Sequence, residues 1–152
     1  DVRLTIVGAL SGGNPEYLLR IKEYIAEHRL GDRVEIKANL SHEETVAEYG
    51  KHDLFVLPSS NDPLAYSPLE AMAAGLPVIC SDTNGARWYI EEERNGFVFK
   101  SEDAEDLCYA IRRVVSNAKN LAEMRKQSRY LVETQYTPEH FYKRMMDIVH
   151  KF

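Results

Sequence analysis

The sequence is poor in the residues that define several protein classes. It has two cysteines and one tryptophan among 152 residues, and two cysteines are too few for a disulfide framework or a cysteine-rich metal site. We expect Cys80 and Cys108 to be reduced thiols in the core, which favours a cytoplasmic protein. No apolar run approaches the roughly 20 residues of a membrane-spanning helix, and no signal-peptide pattern is present.

Basic residues are also too few for one large class of partners. Lysine and arginine number 19 against 24 aspartates and glutamates, which gives a net charge of -5. A chain of this sign lacks the general basic surface that attracts nucleic acid, so we expect no nucleic-acid partner. Apolar residues make up 44% of the sequence, an ordinary value for a globular protein. We therefore interpret residues 1–152 as one domain.

Short apolar runs alternate with helical patterns along the chain. The runs predict strands at Leu4–Val7, Val34–Lys37, Leu54–Leu57, Val78–Cys80 and Gly96–Phe99. The patterns predict helices at about 16–27, 42–50, 68–74, 104–117, 121–136 and 138–151. This alternation indicates βαβ units and a parallel sheet, and therefore an α/β fold. Because the first strand begins almost at residue 1, we expect the chain to be a piece of a longer protein.

The most informative stretch is residues 59–79, which lies between two apolar runs. A strand, a polar loop and a helix start are where α/β proteins bind phosphorylated ligands. Ser67 and Glu70 have the spacing of a capping box, so Glu70 is either a cap or a ligand-binding residue. Asp62 is either a turn residue, since it stands before a proline, or an acceptor of hydrogen bonds from sugar hydroxyls.

The same stretch resembles the signature of retaining GT-B glycosyltransferases of family 4. That signature has two acidic residues with seven residues between them, followed by Ala-Met-Ala-x-Gly-x-Pro-Val, and Asp62–Val78 keeps this spacing. Similar matches lie at Leu4–Gly8, Asp32–Ile36, Asp53–Ser59 and Asn95–Phe99. The resemblance implies a Rossmann-like parallel sheet flanked by helices, the C-terminal half of a GT-B fold without its first βα unit.

The resemblance also implies a role for each matching residue. Asp62 would belong to the catalytic centre, beside the hydroxyls of the donor sugar, and Glu70 would bind the ribose hydroxyls. The backbone at Ala65, Tyr66 and Ser67 would face the diphosphate. Two further donor-binding positions are Gly8, where the nucleotide would approach the first strand, and Leu40, at the end of a segment near the base.

The family implies partners as well as residues. The donor would be a UDP-, GDP- or ADP-sugar, the acceptor a saccharide, lipid or protein, and transfer would retain the anomeric configuration. Neither a metal nor another cofactor is expected. The family's acceptor-binding N-terminal domain and its diphosphate-binding Arg and Lys are absent from this sequence, so we expect the isolated chain to be inactive. Peripheral membrane association of the longer protein stays open.

Three positions depart from the family pattern. Asp62 replaces a Glu, Ala65 replaces a Gly, and Asn84–Trp88 replaces a Gly-Gly-x-Pro-Glu turn. In that last segment we expect Arg87 on the surface and Trp88 in packing. These departures keep two alternatives open, a non-catalytic binding or scaffold module of the same fold and a GT-B nucleotide-sugar epimerase.

Overall fold

The computed structural model describes residues 2–9, 14–63 and 65–151. Within it the chain divides into two compact units, Asp1–Ala47 and Glu48–Phe152, which we call unit 1 and unit 2. The interpretation of residues 1–152 as one domain stays a prediction.

Unit 1 contains two parallel strands and the helix that connects them. Its elements are β1 (Leu4–Gly8), α1 (Pro15–Glu27), β2 (Val34–Ala38) and most of α2 (His42–Tyr49). The register runs from the pair Leu4 and Val34 to the pair Gly8 and Ala38. Because α1 joins parallel neighbours, this is the βαβ unit that the sequence predicts.

Unit 2 contains a three-stranded parallel sheet and most of the helices. Its elements are β3 (Phe55–Leu57), α3 (Ser67–Ala73), β4 (Val78–Ser81), a 3₁₀ helix (Gly85–Tyr89), β5 (Gly96–Phe99), α4 (Ala104–Val115), α5 (Ala118–Gln135) and α6 (Pro138–Val149). The strand order is β3-β4-β5, with both pairs parallel. The prediction of parallel strands alternating with helices is therefore confirmed.

Apolar residues cover both faces of the central strand β4. Val78 belongs to a buried cluster with Tyr49, Ala71, Met72, Leu76 and Leu131. Its neighbour Ile79 belongs to a second cluster with Phe97, Phe99, Ala110, Val114 and Met124. Because successive strand residues point to opposite faces, two adjacent apolar residues supply two separate cores.

Helix α3 ends as its sequence predicts. Gly75 adopts a φ of +80°, a conformation that costs glycine little because it has no Cβ. The amide of Gly75 donates to the Met72 carbonyl oxygen at 2.9 Å, and the amide of Leu76 donates to the Ala71 carbonyl oxygen at 2.9 Å. This Schellman pairing satisfies the last carbonyls of the helix and directs the chain into β4.

Two side chains lie where the sequence analysis did not expect them. Cys80 is buried, whereas Cys108 is exposed, so the prediction of two core thiols is wrong for Cys108. The buried stripe of α4 includes Ala110 and Val114, four residues apart, and Cys108 lies outside that stripe. Trp88 is 75% exposed instead of packed, and the Arg87 guanidinium lies 4.8 Å from its ring centroid.

Candidate functional site

In unit 1, the two predicted donor-binding residues lie at the carboxyl ends of neighbouring strands. Gly8 ends β1, and its carbonyl oxygen accepts a hydrogen bond from the amide of Asn39 at 3.0 Å. Asn39 has a φ of +54°, and the half-buried Leu40 follows it. Among the described residues, no atom would lie within 4 Å of a Cβ built on Gly8. This part of the chain therefore leaves open space beside the backbone at the end of β1.

In unit 2, the predicted site residues follow β3. We call residues 58–66 the site loop, of which Leu64 lies outside the described residues. Asp62 is half-buried, Ala65 is 7% exposed and Tyr66 is 69% exposed. Ser67 begins α3 directly after the loop. The methyl group that replaces the family's glycine at position 65 is thus inside the protein.

Ser81, the last residue of β4, and two residues after that strand anchor the site loop. The Ser81 hydroxyl donates to the Ser59 carbonyl oxygen at 2.7 Å. The Asn84 side-chain amide donates to the Ser59 hydroxyl at 2.8 Å, and the Gly85 amide donates to the Asp62 carbonyl oxygen at 2.9 Å. Ser81 and Asn84 are buried, so their side chains would be costly to leave unpaired.

These anchors were not predicted from the sequence, although a signal for them was present. Ser81 and Asn84 are polar residues at and just after the carboxyl end of an apolar strand, and the carboxyl ends of neighbouring parallel strands share one edge of a sheet. Glycine is required at the next position, Gly85, because its backbone lies very close to the backbone of Pro63. A Cβ at that position would lie 1.9 Å from the Pro63 carbonyl oxygen, far inside van der Waals contact.

Glu70 lies in the first turn of α3 and is half-buried. Its Oε2 atom accepts a hydrogen bond from the Tyr49 hydroxyl at 3.1 Å. Tyr49 is itself buried, and its ring packs edge-to-face on Phe55 with 5.7 Å between centroids. Burial, and next the negative charge of Glu70, raise the pKa of Tyr49 well above its ordinary value. The hydroxyl therefore keeps its proton and stays a donor.

The capping box predicted for Ser67 and Glu70 is wrong. Ser67 is already the first residue of α3, and the side chain of Tyr66 before it makes no capping bond. A serine and a glutamate with the same spacing form a capping box at α2 instead. There the Ser41 amide donates to Glu44 Oε2 at 2.7 Å, and the Glu44 amide donates to the Ser41 hydroxyl at 3.2 Å. Hydrogen bonding to the carboxylate, first from the Ser41 amide and next from the Ser41 side chain, holds the pKa of Glu44 below its usual value.

The described residues offer no cluster of metal-binding side chains. Among them, no group of three or more His, Cys, Asp or Glu side chains is arranged to hold a metal ion. In the same part of the chain, none of the helices has the length and apolar character needed to cross a bilayer.

A groove on the surface of unit 2 lies away from the predicted site residues. It has a volume of about 480 Å³ and is lined by residues of the β5 edge, α4 and α5, among them Phe97, Arg113 and Met124. Arg113 pairs with Glu93, and its guanidinium lies 4.4 Å from the Phe97 ring centroid. The Arg113 guanidinium in this groove is therefore already paired within the protein. We interpret the groove as a surface feature stabilised by an ion pair.

Comparison with known proteins gives consistent results. The sequence pattern of the family described as glycosyl transferases group 1 matches residues 1–131. The D-inositol 3-phosphate glycosyltransferase of Pseudarthrobacter chlorophenolicus is 33% identical over 106 residues, which are 70% of this chain and 24% of that protein. The chain thus spans about a quarter of this relative's length.

Two solved structures share the fold. The sucrose-phosphate synthase of Thermosynechococcus elongatus superposes with a TM-score of 0.81 and 27% identity over 98% of this chain and 38% of that one. The Anabaena protein HepE, solved with UDP-glucose, superposes with a TM-score of 0.85 and 18% identity over 99% of this chain and 41% of that one. These matches confirm the α/β architecture of the Rossmann-like C-terminal half of a GT-B protein. The chain belongs to the glycosyl transferases group 1 family.

Proposed function

We propose that this chain is the donor-binding domain of a retaining glycosyltransferase. The reaction moves a sugar from a UDP-, GDP- or ADP-sugar to a saccharide, lipid or protein acceptor. The observation that carries the proposal is the Glu70 carboxylate, half-buried after β3 and bonded to the Tyr49 hydroxyl. A carboxylate that accepts one neutral hydroxyl in this setting is suited to accept the hydroxyls of a ribose. HepE, which shares the fold, was solved with UDP-glucose.

Each site residue has a proposed role. In unit 2, Glu70 binds the ribose hydroxyls and Asp62 contacts the donor sugar, while the backbone at Ala65, Tyr66 and Ser67 faces the diphosphate. In unit 1, Gly8 admits the nucleotide and Leu40 lies near the base. The open space beside Gly8 supports its role. The Gly85 bond to the Asp62 backbone supports a fixed position for Asp62.

We further propose that the reaction needs no metal and no other cofactor, because fixed protein dipoles and cations can stabilise the departing diphosphate. The chain spans 38% of the sucrose-phosphate synthase chain, so the proposal places the acceptor site in another domain of a longer protein. The isolated chain is then inactive in transfer. The longer protein is proposed to be cytoplasmic, with any membrane contact peripheral.

The second candidate is a non-catalytic module of the same fold, and the presence of alanine at position 65 favours it. Glycine adopts a positive φ at little cost, whereas the Cβ of alanine disfavours that conformation. A diphosphate-binding loop that needs a positive φ at this position would therefore be strained in this chain.

Ligand-observed NMR with UDP, GDP and ADP tests the proposal. We expect one nucleotide to bind and the Glu70→Ala variant to lose about tenfold to a hundredfold in affinity, because a hydrogen bond to a charged group contributes roughly 1.5–3 kcal/mol. Glu133→Ala is the matched control, since Glu133 is an exposed carboxylate of α5 paired with Arg129.

Two outcomes of the NMR experiment would contradict the proposal. Binding that Glu70→Ala leaves unchanged contradicts the ribose role. Failure of both this chain and the full-length protein to bind any of the three nucleotides contradicts donor binding and supports the scaffold module.

A further inference from the structure

We propose that Tyr49 is a positioning residue for Glu70, and that it sets how strongly the site distinguishes a ribose from a sugar without hydroxyls. This proposal rests on the function proposed above. Tyr49 does not touch the donor; it acts through the carboxylate that does.

The contact joins two distant parts of unit 2. Tyr49 is the last residue of α2 and Glu70 lies 21 residues later in α3. The hydroxyl oxygen of Tyr49 is 3.1 Å from Glu70 Oε2, within hydrogen-bond range for two oxygens although longer than the usual 2.7–2.8 Å.

The donor of this bond is fixed by packing. Tyr49 is 7% exposed and lies in the cluster that contains Ala71, Met72 and Leu76. Phe55 packs edge-to-face on its ring. Ala71 and Met72 directly follow Glu70 in α3, so the core that fixes the tyrosine ring also fixes the helix that carries the carboxylate.

The acceptor, in contrast, is a long side chain. A glutamate side chain loses rotamer entropy when it is ordered. A bond from an immobile hydroxyl restrains the carboxylate before the ligand arrives, which lowers the ordering cost of binding. An ionised carboxylate has about four acceptor positions, so a bond from Tyr49 is compatible with bonds from a ribose.

Burial helps to keep the Tyr49 hydroxyl protonated. The pKa of the Tyr49 hydroxyl is raised chiefly by desolvation and next by the charge of Glu70. The tyrosine therefore remains a neutral donor across the pH range in which proteins are assayed.

The test compares UDP with 2′,3′-dideoxy-UDP, which lacks both ribose hydroxyls, and runs the GDP and ADP pairs alongside. The proteins are the wild-type chain, Tyr49→Phe and Tyr136→Phe. Phenylalanine keeps the ring and its packing and removes only the hydroxyl. Tyr136 is the matched control, since it packs at the edge of the same cluster with its ring against Tyr89.

We expect Tyr49→Phe to weaken binding of the ribose form about fivefold, which corresponds to about 1 kcal/mol, and to leave the dideoxy form unchanged. Without the bond from Tyr49, the ribose must order a less restrained Glu70 side chain. In a Glu70→Ala background, Tyr49→Phe should have no further effect on affinity. A purely structural role predicts equal losses for both nucleotides, and that result overturns the proposal.

A second readout needs no ligand. The ¹³C shift of the Glu70 carboxyl carbon should change in Tyr49→Phe and stay in place in Tyr136→Phe. An unchanged shift overturns the hydrogen bond itself, and thermal unfolding of each variant checks that the fold is intact.

Failure of this inference differs from failure of the proposed function. If the wild type prefers UDP over its dideoxy analogue, Glu70→Ala removes that preference and Tyr49→Phe does not alter it, only the positioning role is wrong. If neither the wild-type chain nor the full-length protein binds a nucleotide, or if both forms bind equally, the ribose role of Glu70 is wrong and the role of Tyr49 is wrong as well.

Discussion

Replacement of Gly85 by alanine is the most direct test of how the site loop is built. The added Cβ would lie 1.9 Å from the Pro63 carbonyl oxygen and 2.6 Å from its carbon. Both are backbone atoms, so no side-chain rotation relieves the overlap. The loop or the 3₁₀ helix must move by about 1.5 Å before the contact reaches 3.4 Å.

The free-energy cost follows from three effects. Overpacking of a close contact costs about 1–3 kcal/mol. Loss of the 2.9 Å bond from the Gly85 amide to the Asp62 carbonyl oxygen costs about 1 kcal/mol more. Reduced freedom of the unfolded chain returns roughly 0.4–1 kcal/mol. We therefore expect Gly85→Ala to lower the free energy of unfolding by about 1–3.5 kcal/mol, or the Tm by about 3–10 °C.

Thermal unfolding followed by circular dichroism measures this loss. Gly31→Ala is the matched control, because no atom of residues 2–9, 14–63 and 65–151 would lie within 4 Å of a Cβ on Gly31. The Tm of this variant should stay level or rise slightly. An unchanged Tm for Gly85→Ala would refute the close approach of the two backbones. Amide NMR shifts should change mainly in the site loop and in residues 81–89.

Two further predictions concern side chains outside the loop. Burial raises the pKa of the Cys80 thiol to about 12. An alkylating reagent at pH 8 should therefore label Cys108 in the folded chain and Cys80 only after unfolding, which mass spectrometry can measure. Equal labelling of the two thiols would contradict the burial of Cys80. Because the neutral thiol is favoured in the fold, this group's stabilisation is complete below the unfolded pKa near 9 and is lost as pH rises toward 12. Ser41→Ala should lower stability by about 1 kcal/mol through loss of the cap, whereas Ser67→Ala should lower it less; the reverse order in urea titrations would contradict the assigned caps.

The sequence predicts the strands well because the burial pattern of a strand is visible in its residues. The run Gly96–Phe99 was predicted and is observed with the same bounds, and β4 differs from its prediction by one residue, Ser81. Apolar residues at consecutive positions indicate burial on both faces. The two clusters on either side of Val78 and Ile79 are the physical reason that this signal was reliable.

Capping could not be predicted from spacing alone. A serine followed three residues later by a glutamate occurs at Ser41 and at Ser67, and only the first pair forms a box. At Ser67 the glutamate has a competing partner, because the fold brings the Tyr49 hydroxyl to it. That tyrosine is 21 residues away in the sequence, so no local sequence pattern predicts its hydrogen bond to Glu70.

The loop anchors were missed for a related reason. The bonds of Ser59 to Ser81 and Asn84 span 22 and 25 residues, and they follow from the adjacency of β3 and β4. Sequence spacing gives the order of strands along the chain, while adjacency in the sheet decides which loops meet. The family resemblance covered the loop and its acidic residues, but it offered nothing for the segment after β4, where this sequence departs from the pattern.

The exposure of Trp88 makes its fluorescence a useful signal. It is the one tryptophan of the sequence, it is 75% exposed, and it lies on the 3₁₀ helix whose first residue bonds the site loop. An indole that is already in water changes its emission little when the whole protein unfolds. Its fluorescence is instead a built-in local probe, sensitive to the neighbouring Arg87 and to any molecule that settles beside the loop, with no label attached.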